Sequence, residues 1–361
     1  MSGARPAMLA AGRLAASPRQ SFVKQIDTQS PAENAQLALY AKLVVLLTFV
    51  LIFIGGHTTT SGAGMAFADW PLSNGSLNPD GWWQNFMMRL EHGHRLTAGL
   101  VATLVAIQFF WVLWKRRALP EKAFSLALWA LVGVLAQAVL GGLRVILDPQ
   151  GIAPAGSGVA TTFRVLHGCC AQVELCLLVA LAALLSPAWR RLAPQPAWQR
   201  IGRFGWITAA VIFLQLMVGA TMRHLGAGLA IPTFPMTPGG GFLPQAHNIF
   251  VDLNFTHTRF GAALVTVFIG WLAAKTLSGA WGENRLTRPA LGLCLLLVSQ
   301  VVLGMLVIWN MRPPMLTTVH VVNGAAMLAT AVLLAVRASH RAPSSSGAEP
   351  ASHLEIAEAV A

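Results

Sequence analysis

Eight stretches of this chain are apolar and about as long as a bilayer is thick, and that pattern limits the possible folds more than any single motif does. The runs fall at about 38–56, 86–114, 122–146, 160–185, 203–222, 248–275, 288–309 and 316–337, each near the roughly 20 residues a helix needs to span the hydrocarbon core. In lipid every backbone N–H and C=O must be satisfied within its own segment, so such runs fold as helices. Composition agrees: 55% of the 361 residues are hydrophobic, 11% are charged and the mean hydropathy is +0.61, too little polar surface for a soluble globule. The expected fold is all-α, a polytopic membrane protein with eight transmembrane helices.

The net charge of +12, from 25 Lys+Arg against 13 Asp+Glu, would suit nucleic acid if it formed one face. Instead the basic residues sit in short loops: Lys115-Arg116-Arg117, Arg190-Arg191 with Arg200 and Arg203, Lys275 with Arg285 and Arg288, and Arg337 to Arg341. They read as topology signals, place both termini in the cytoplasm and argue against nucleic acid as a partner. Trp111, Trp114, Trp189, Trp206 and Trp271 near the inner ends, with Trp82, Trp83 and Trp309 near the outer ends, fit interfacial belts. The four cysteines lie inside apolar runs and form no metal or disulfide framework. The expected organisation is a flexible cytoplasmic segment at 1–37, a four-helix bundle at 38–186, a cytoplasmic linker at 187–202, a second bundle at 203–337 and a disordered tail at 338–361. The Arg-rich head also fits an organellar transit peptide. The membrane is thus the cytoplasmic membrane of a bacterium, or the mitochondrial inner membrane in a eukaryote.

The halves resemble each other. Gly56 and His94 are 38 residues apart, as are Gly219 and His257; His94 and Gln137 are 43 apart, as are His257 and Gln300. Gly62-Ala63-Gly64-Met65 parallels Gly226-Ala227-Gly228-Leu229, and Trp70-Pro71 parallels Phe234-Pro235. Each half is then one unit of a parallel repeat, with an offset of 163 at the Gly56, His94 and Gln137 anchors and 164 in these loop motifs. The longer loop from Asp148 to Ala160 accounts for a slip of ten residues at the fourth span.

His94, His167, His257 and His320 fall on the second, fourth, sixth and eighth spans, all in the outer parts of helices that run the same way. One intramembrane histidine is more often a packing residue or proton relay than a ligand. Two at matched depth in one bundle can hold a haem iron from opposite faces, and two pairs give two haem sites. His92 rivals His94 as the ligand in the second span. Glu91 sits one turn before His94, where it either handles protons or pairs with Arg89 or Arg95. Glu174, seven residues after His167, either lies on a proton path or pairs with Gln172. Gln137 and Gln300 fit interhelical hydrogen bonds as well as catalysis.

The first outer loop, Gly55-Gly56-His57-Thr58-Thr59-Thr60-Ser61-Gly62-Ala63-Gly64-Met65 and Asp69-Trp70-Pro71-Leu72-Ser73, together with Glu91-x-x-His94-Arg95 and the four histidines, resembles the haem A synthase family over about residues 38 to 337. The resemblance implies oxidation of the C8 methyl of haem O to a formyl group, giving haem A for cytochrome oxidase. By position it implies that His94 and His167 hold the substrate haem, with Arg95 and Arg164 toward its propionates. His257 and His320 would hold a resident haem b, with Arg259 beside it, and Glu91 would be catalytic. Arg223 is a further propionate candidate. Implied partners are haem O, membrane lipid, an electron donor that the sequence does not name, a haem O synthase and the oxidase assembly apparatus; homo-oligomerisation stays open.

Two departures stand out. Relatives carry loop cysteines where this chain has Ala66 or Phe67 and Ser73, so no loop disulfide is expected. The second half reads His257-Thr258-Arg259 rather than His-Arg, and one residue turns a helical side chain by about 100°, so Arg259 is expected to miss the contact made by Arg95. A di-haem cytochrome that relays electrons from quinol, and a proton-coupled transporter, are the competing readings. The former leaves the Glu91 motif unexplained; the latter predicts broken spans, whereas the prolines here cluster in loops.

Overall fold

The apolar runs fold as α1 (Pro31–Thr60), α2 (Phe86–Trp114), α3 (Lys122–Leu147), α4 (Gly158–Leu185), α5 (Trp198–His224), α6 (Ile249–Gly279), α7 (Asn284–Trp309) and α8 (Pro314–Ala338). This is a computed structural model that describes residues 31–147 and 158–340. All eight are long and apolar enough to cross a bilayer. The only β-pairing among the described residues is an isolated Ser73–Ser76 bridge. The helices that carry His94 and His257 start alike. Asn85 accepts from the amides of Met87 and Met88 at the head of α2, and Asn248 accepts from those of Phe250 and Val251 at the head of α6, satisfying donors that a helix start leaves open.

Two boundaries differ from the sequence reading. Helix α1 begins at Pro31, so residues 31–37 are helical rather than a flexible head, and α5 begins at Trp198, inside the expected linker, which also holds a short helix at Pro187–Arg190. The rest of the expected head, the tail beyond residue 340 and residues 148–157 of the long loop lie outside the described residues.

Helices α1 to α4 close a ring, α1 and α3 each packing on α2 and α4. Helices α5 to α8 close another, α5 and α7 each packing on α6 and α8. The rings meet where α4 touches α5 and α8 and where α1 touches α8. That makes α4 and α8 the central spans, 67% and 56% buried against 11–33% for the other six. Their sequences suit the place: Ala180, Ala182 and Ala183 on α4 and Ala325, Ala329, Ala331 and Ala335 on α8 are small and buried, and small residues let helices approach closely in lipid. Gly205 on α5 lies against the backbone of Ala335. The peripheral faces expose Leu39, Leu43, Leu46 and Val50 on α1 and Leu291, Leu295, Val298 and Val302 on α7, a lipid-facing stripe at helical spacing. At the ends bearing the long loops, Thr60 and Thr318 share a 2.9 Å hydroxyl bond, and Arg223 donates to the Gly56 carbonyl at 2.9 Å.

Candidate functional site

The rings place their histidines in facing pairs. His94 on α2 and His167 on α4 have ring centroids 6.4 Å apart with planes at 89°; His257 on α6 and His320 on α8 stand 6.5 Å apart at 75°. A metal–imidazole bond is about 2 Å, so two such bonds in line put ring centres a little over 6 Å apart, and both pairs fit a metal held between them. All four Nδ1 atoms are buried without a partner among the described residues, while each side chain as a whole stays partly accessible. Both pairs therefore suit a haem iron.

Glycine makes room for each ring. A Cβ at Gly55 would lie 2.7 Å from His94 Cε1, and one at Gly219 would lie 2.5 Å from His257 Cε1. On the far side Gly141 faces His167 and Gly304 faces His320, at 3.3 and 3.2 Å. Glutamines sit beside the histidines as well. Gln137 donates to the His167 carbonyl, Gln215 to the His257 carbonyl, and Gln300 contacts His320 Nε2 at 3.2 Å while accepting from Asn323.

Above the first pair, Glu91 is buried and doubly engaged. Its Oε1 is 2.6 Å from Arg95 Nη2, and its Oε2 accepts from the Phe67 amide at 3.1 Å. Arg95 also donates to the carbonyls of Asp69 and Leu72 and lies over the Phe67 ring. Its guanidinium thus fastens the loop of residues 61–85 to α2, one turn beyond the carboxylate. Within that loop Asp69 accepts from the amides of Asn74 and Gly75 at 2.8 and 2.7 Å. Slight burial raises its pKa, but those amides, with Arg95 nearby, outweigh it and hold the carboxyl below its ordinary 3.8.

The second loop is held the same way, through Arg259. That arginine donates to the carbonyls of Pro235, Thr233 and Met236 and lies over the Phe234 ring. The reason is a π-helical turn at Thr256–Gly261. A π turn takes one extra residue into the helix, so the fifth residue after Asn254 points where the fourth after Glu91 does. The inserted Thr258 is absorbed locally, its hydroxyl bonding back to Asn254. Asn254 itself replaces the carboxylate: wholly buried, it donates to the Ala227 carbonyl at 2.9 Å. Both loops carry a cis X-Pro bond, at Trp70-Pro71 and Phe234-Pro235.

Other candidates separate clearly. His92 bonds Ser73 Oγ at 3.0 Å and packs on Trp82 and Phe67, so it belongs to the loop while His94 faces His167. Arg89, an alternative partner for Glu91, donates instead to the Trp83 carbonyl. The four cysteines are free. Sequence reasoning missed Arg144. It sits on α3, one turn past Gly141, and reaches toward the Gly64 carbonyl. Arg164 near the start of α4, Arg223 near the end of α5 and Arg312 just after α7 stand at the same end, Arg312 lying against Gly228 as Arg144 lies against Gly64. These arginines make a basic collar at the loop-bearing end of the helices. The signal for Arg144 was a charged residue near the end of a span, which snorkelling explains equally well.

Comparison with known proteins matches residues 84–332 to the family described as cytochrome oxidase assembly protein. Similar proteins include one named heme A synthase from Beijerinckia indica, 28% identical over 323 residues, covering 78% of this chain and 86% of that one. Others of the same name come from a Bradyrhizobium species, 26% identical over 351 residues covering 85% and 92%, and from Rhodopseudomonas palustris, 27% identical over 346 residues covering 84% and 91%.

Proposed function

This chain belongs to the cytochrome oxidase assembly protein family, and from that premise we propose that it is a haem A synthase, oxidising the C8 methyl group of haem O to the formyl group of haem A. The first ring takes haem O between His94 and His167. The second takes haem b between His257 and His320, and that group supplies one-electron transfer when bound. The rings are repeats of one four-helix unit, and both termini face the cytoplasm because the basic loops do.

The protein's own residues divide the remaining tasks. Arg144 and Arg164 in the first ring, Arg312 in the second and Arg223 between them give anionic propionates cationic partners at the loop-bearing end. Oxidising a methyl to a formyl group requires proton transfer beside the substrate, and Glu91, one turn from His94, is a carboxylate placed to carry it. Arg95 and the Phe67 amide hold it in position for that work. The loops cap both rings at the ends nearest the histidine pairs.

The observation that carries this reading is the asymmetry of two matched histidine pairs, of which one alone is backed by a buried carboxylate. The test is to purify the protein from cells that make haem O, extract its haems and separate them by chromatography. Haem b together with haem O, haem A or a hydroxylated intermediate is the expected result. Haem b alone would show an electron-relaying cytochrome, and absence of haem would show a transporter.

A further inference from the structure

One buried carboxyl of the first ring has no role so far. Glu174, on α4, is 6% exposed and neither carboxyl oxygen has a hydrogen-bond partner among the described residues. A buried, unpartnered carboxyl inside a span is costly. Room for it is made by Gly133 on α3, where any Cβ would collide with Glu174 Oε2. Glu174 follows His167 by seven residues, which keeps it on the same helical face and sets it about 10 Å farther from the loop-bearing end.

The second ring differs at the same place. Seven residues beyond His320 stands Met327, and eight before Gly304, as Gly133 is eight before Gly141, stands Leu296. Met327 is 2% exposed in the apolar core and Leu296 packs against that core. The notch that holds a carboxyl in one ring is therefore apolar in the other.

The haems assigned to the two rings differ in a matching way. Haem O carries a hydroxyl on the carbon that joins its isoprenoid chain to the macrocycle, whereas haem b has a plain vinyl group there. That edge lies opposite the propionates, so propionates in the arginine collar turn it toward Glu174, and the rim of a porphyrin plus one hydrogen bond spans a depth of that order. Resting on the function proposed above, we infer that Glu174 hydrogen-bonds this hydroxyl and makes the first ring select haem O over haem b. A site built to bond a hydroxyl rejects the analogue that lacks it, because its buried polar group is then left alone.

The test uses the full chain produced in cells that make both haems, comparing wild type with Glu174→Met, which copies the second ring, and with Glu174→Gln, which keeps a hydrogen-bonding group. Glu174→Met is expected to lower the ratio of haem O and its oxidised products to haem b by roughly tenfold, with total haem per chain unchanged as haem b enters the first ring. Glu174→Gln is expected to keep the wild-type ratio. An unchanged ratio in Glu174→Met overturns the inference. So does a fall in total haem with the ratio preserved, since that marks a structural role. A wild-type protein with no haem O or product overturns the parent reading instead.

Discussion

The two rings share a scaffold and differ in what they bury. Each has facing histidines, a glycine behind each imidazole, a glutamine on a histidine carbonyl or ring, and an arginine that ties a long loop to the helix head. Where the first ring has Glu91 and Glu174, the second has Asn254 and Met327. Both substitutions remove a carboxyl group and keep the fold. A ring that only holds a haem for electron transfer needs no buried acid, whereas one that oxidises a carbon must move protons and recognise its substrate. On the proposed function, the carboxyl groups, rather than the histidines, mark the first ring as the reacting half.

Making the first ring like the second gives the largest expected effect. Glu91→Asn should lower the rate of formyl formation by on the order of 10²–10⁴-fold, the usual contribution of a positioned acid or base, while haem content stays near wild type. Activity within a few-fold of wild type would show Glu91 to be a loop anchor only. Next in size are the glycines. Gly55→Ala and Gly219→Ala each press a methyl into an imidazole and should empty their own ring of haem. Gly93→Ala, where nothing lies within 4 Å of the added carbon, should leave both haems in place; absorbance of the purified protein distinguishes the cases.

The π turn offers a gentler way to sharpen the comparison. Deleting Thr258 should turn the segment into plain α-helix with Arg259 placed as Arg95 is, costing about 1 kcal/mol, the value of its hydrogen bonds. Haem b retention and a small drop in melting temperature are expected, whereas loss of haem b would mean that the insertion shapes the site. The smallest effect concerns pH. The folded-state pKa of Asp69 is lowered, so its contribution to the first loop is present above 3.8 and is lost as pH falls through the folded value. Thr233, at the matching place in the second loop, has no such group. Proteolysis with an acid-active protease should therefore open residues 61–85 progressively at low pH and leave 225–248 unaffected by that titration.

Much of this was legible in the sequence because length and hydropathy determine a span almost directly. The facing histidines were legible because they sit at matched depths on helices running the same way. The contact of Arg259 was not, because an insertion inside a helix reads as a shifted face unless the helix itself takes up the extra residue. His92 and His94 could not be ranked from pattern alone: they point to different sides of α2, and only the docked loop, through Ser73 and Trp82, claims one of them. The glycines behind the histidines and Arg144 lie on neighbouring helices far away in sequence, so their role depends on how spans cross.

The most direct test of the division of labour is to remove one ligand from each ring and identify which haem disappears. His94→Ala and His257→Ala would be purified from cells that make haem O, and the haems of each extracted and separated. The account predicts that His94→Ala keeps haem b and loses haem O with its oxidised products, while His257→Ala loses haem b and keeps haem O without converting it. Loss of the same haem from both variants, or the reverse assignment, would contradict it.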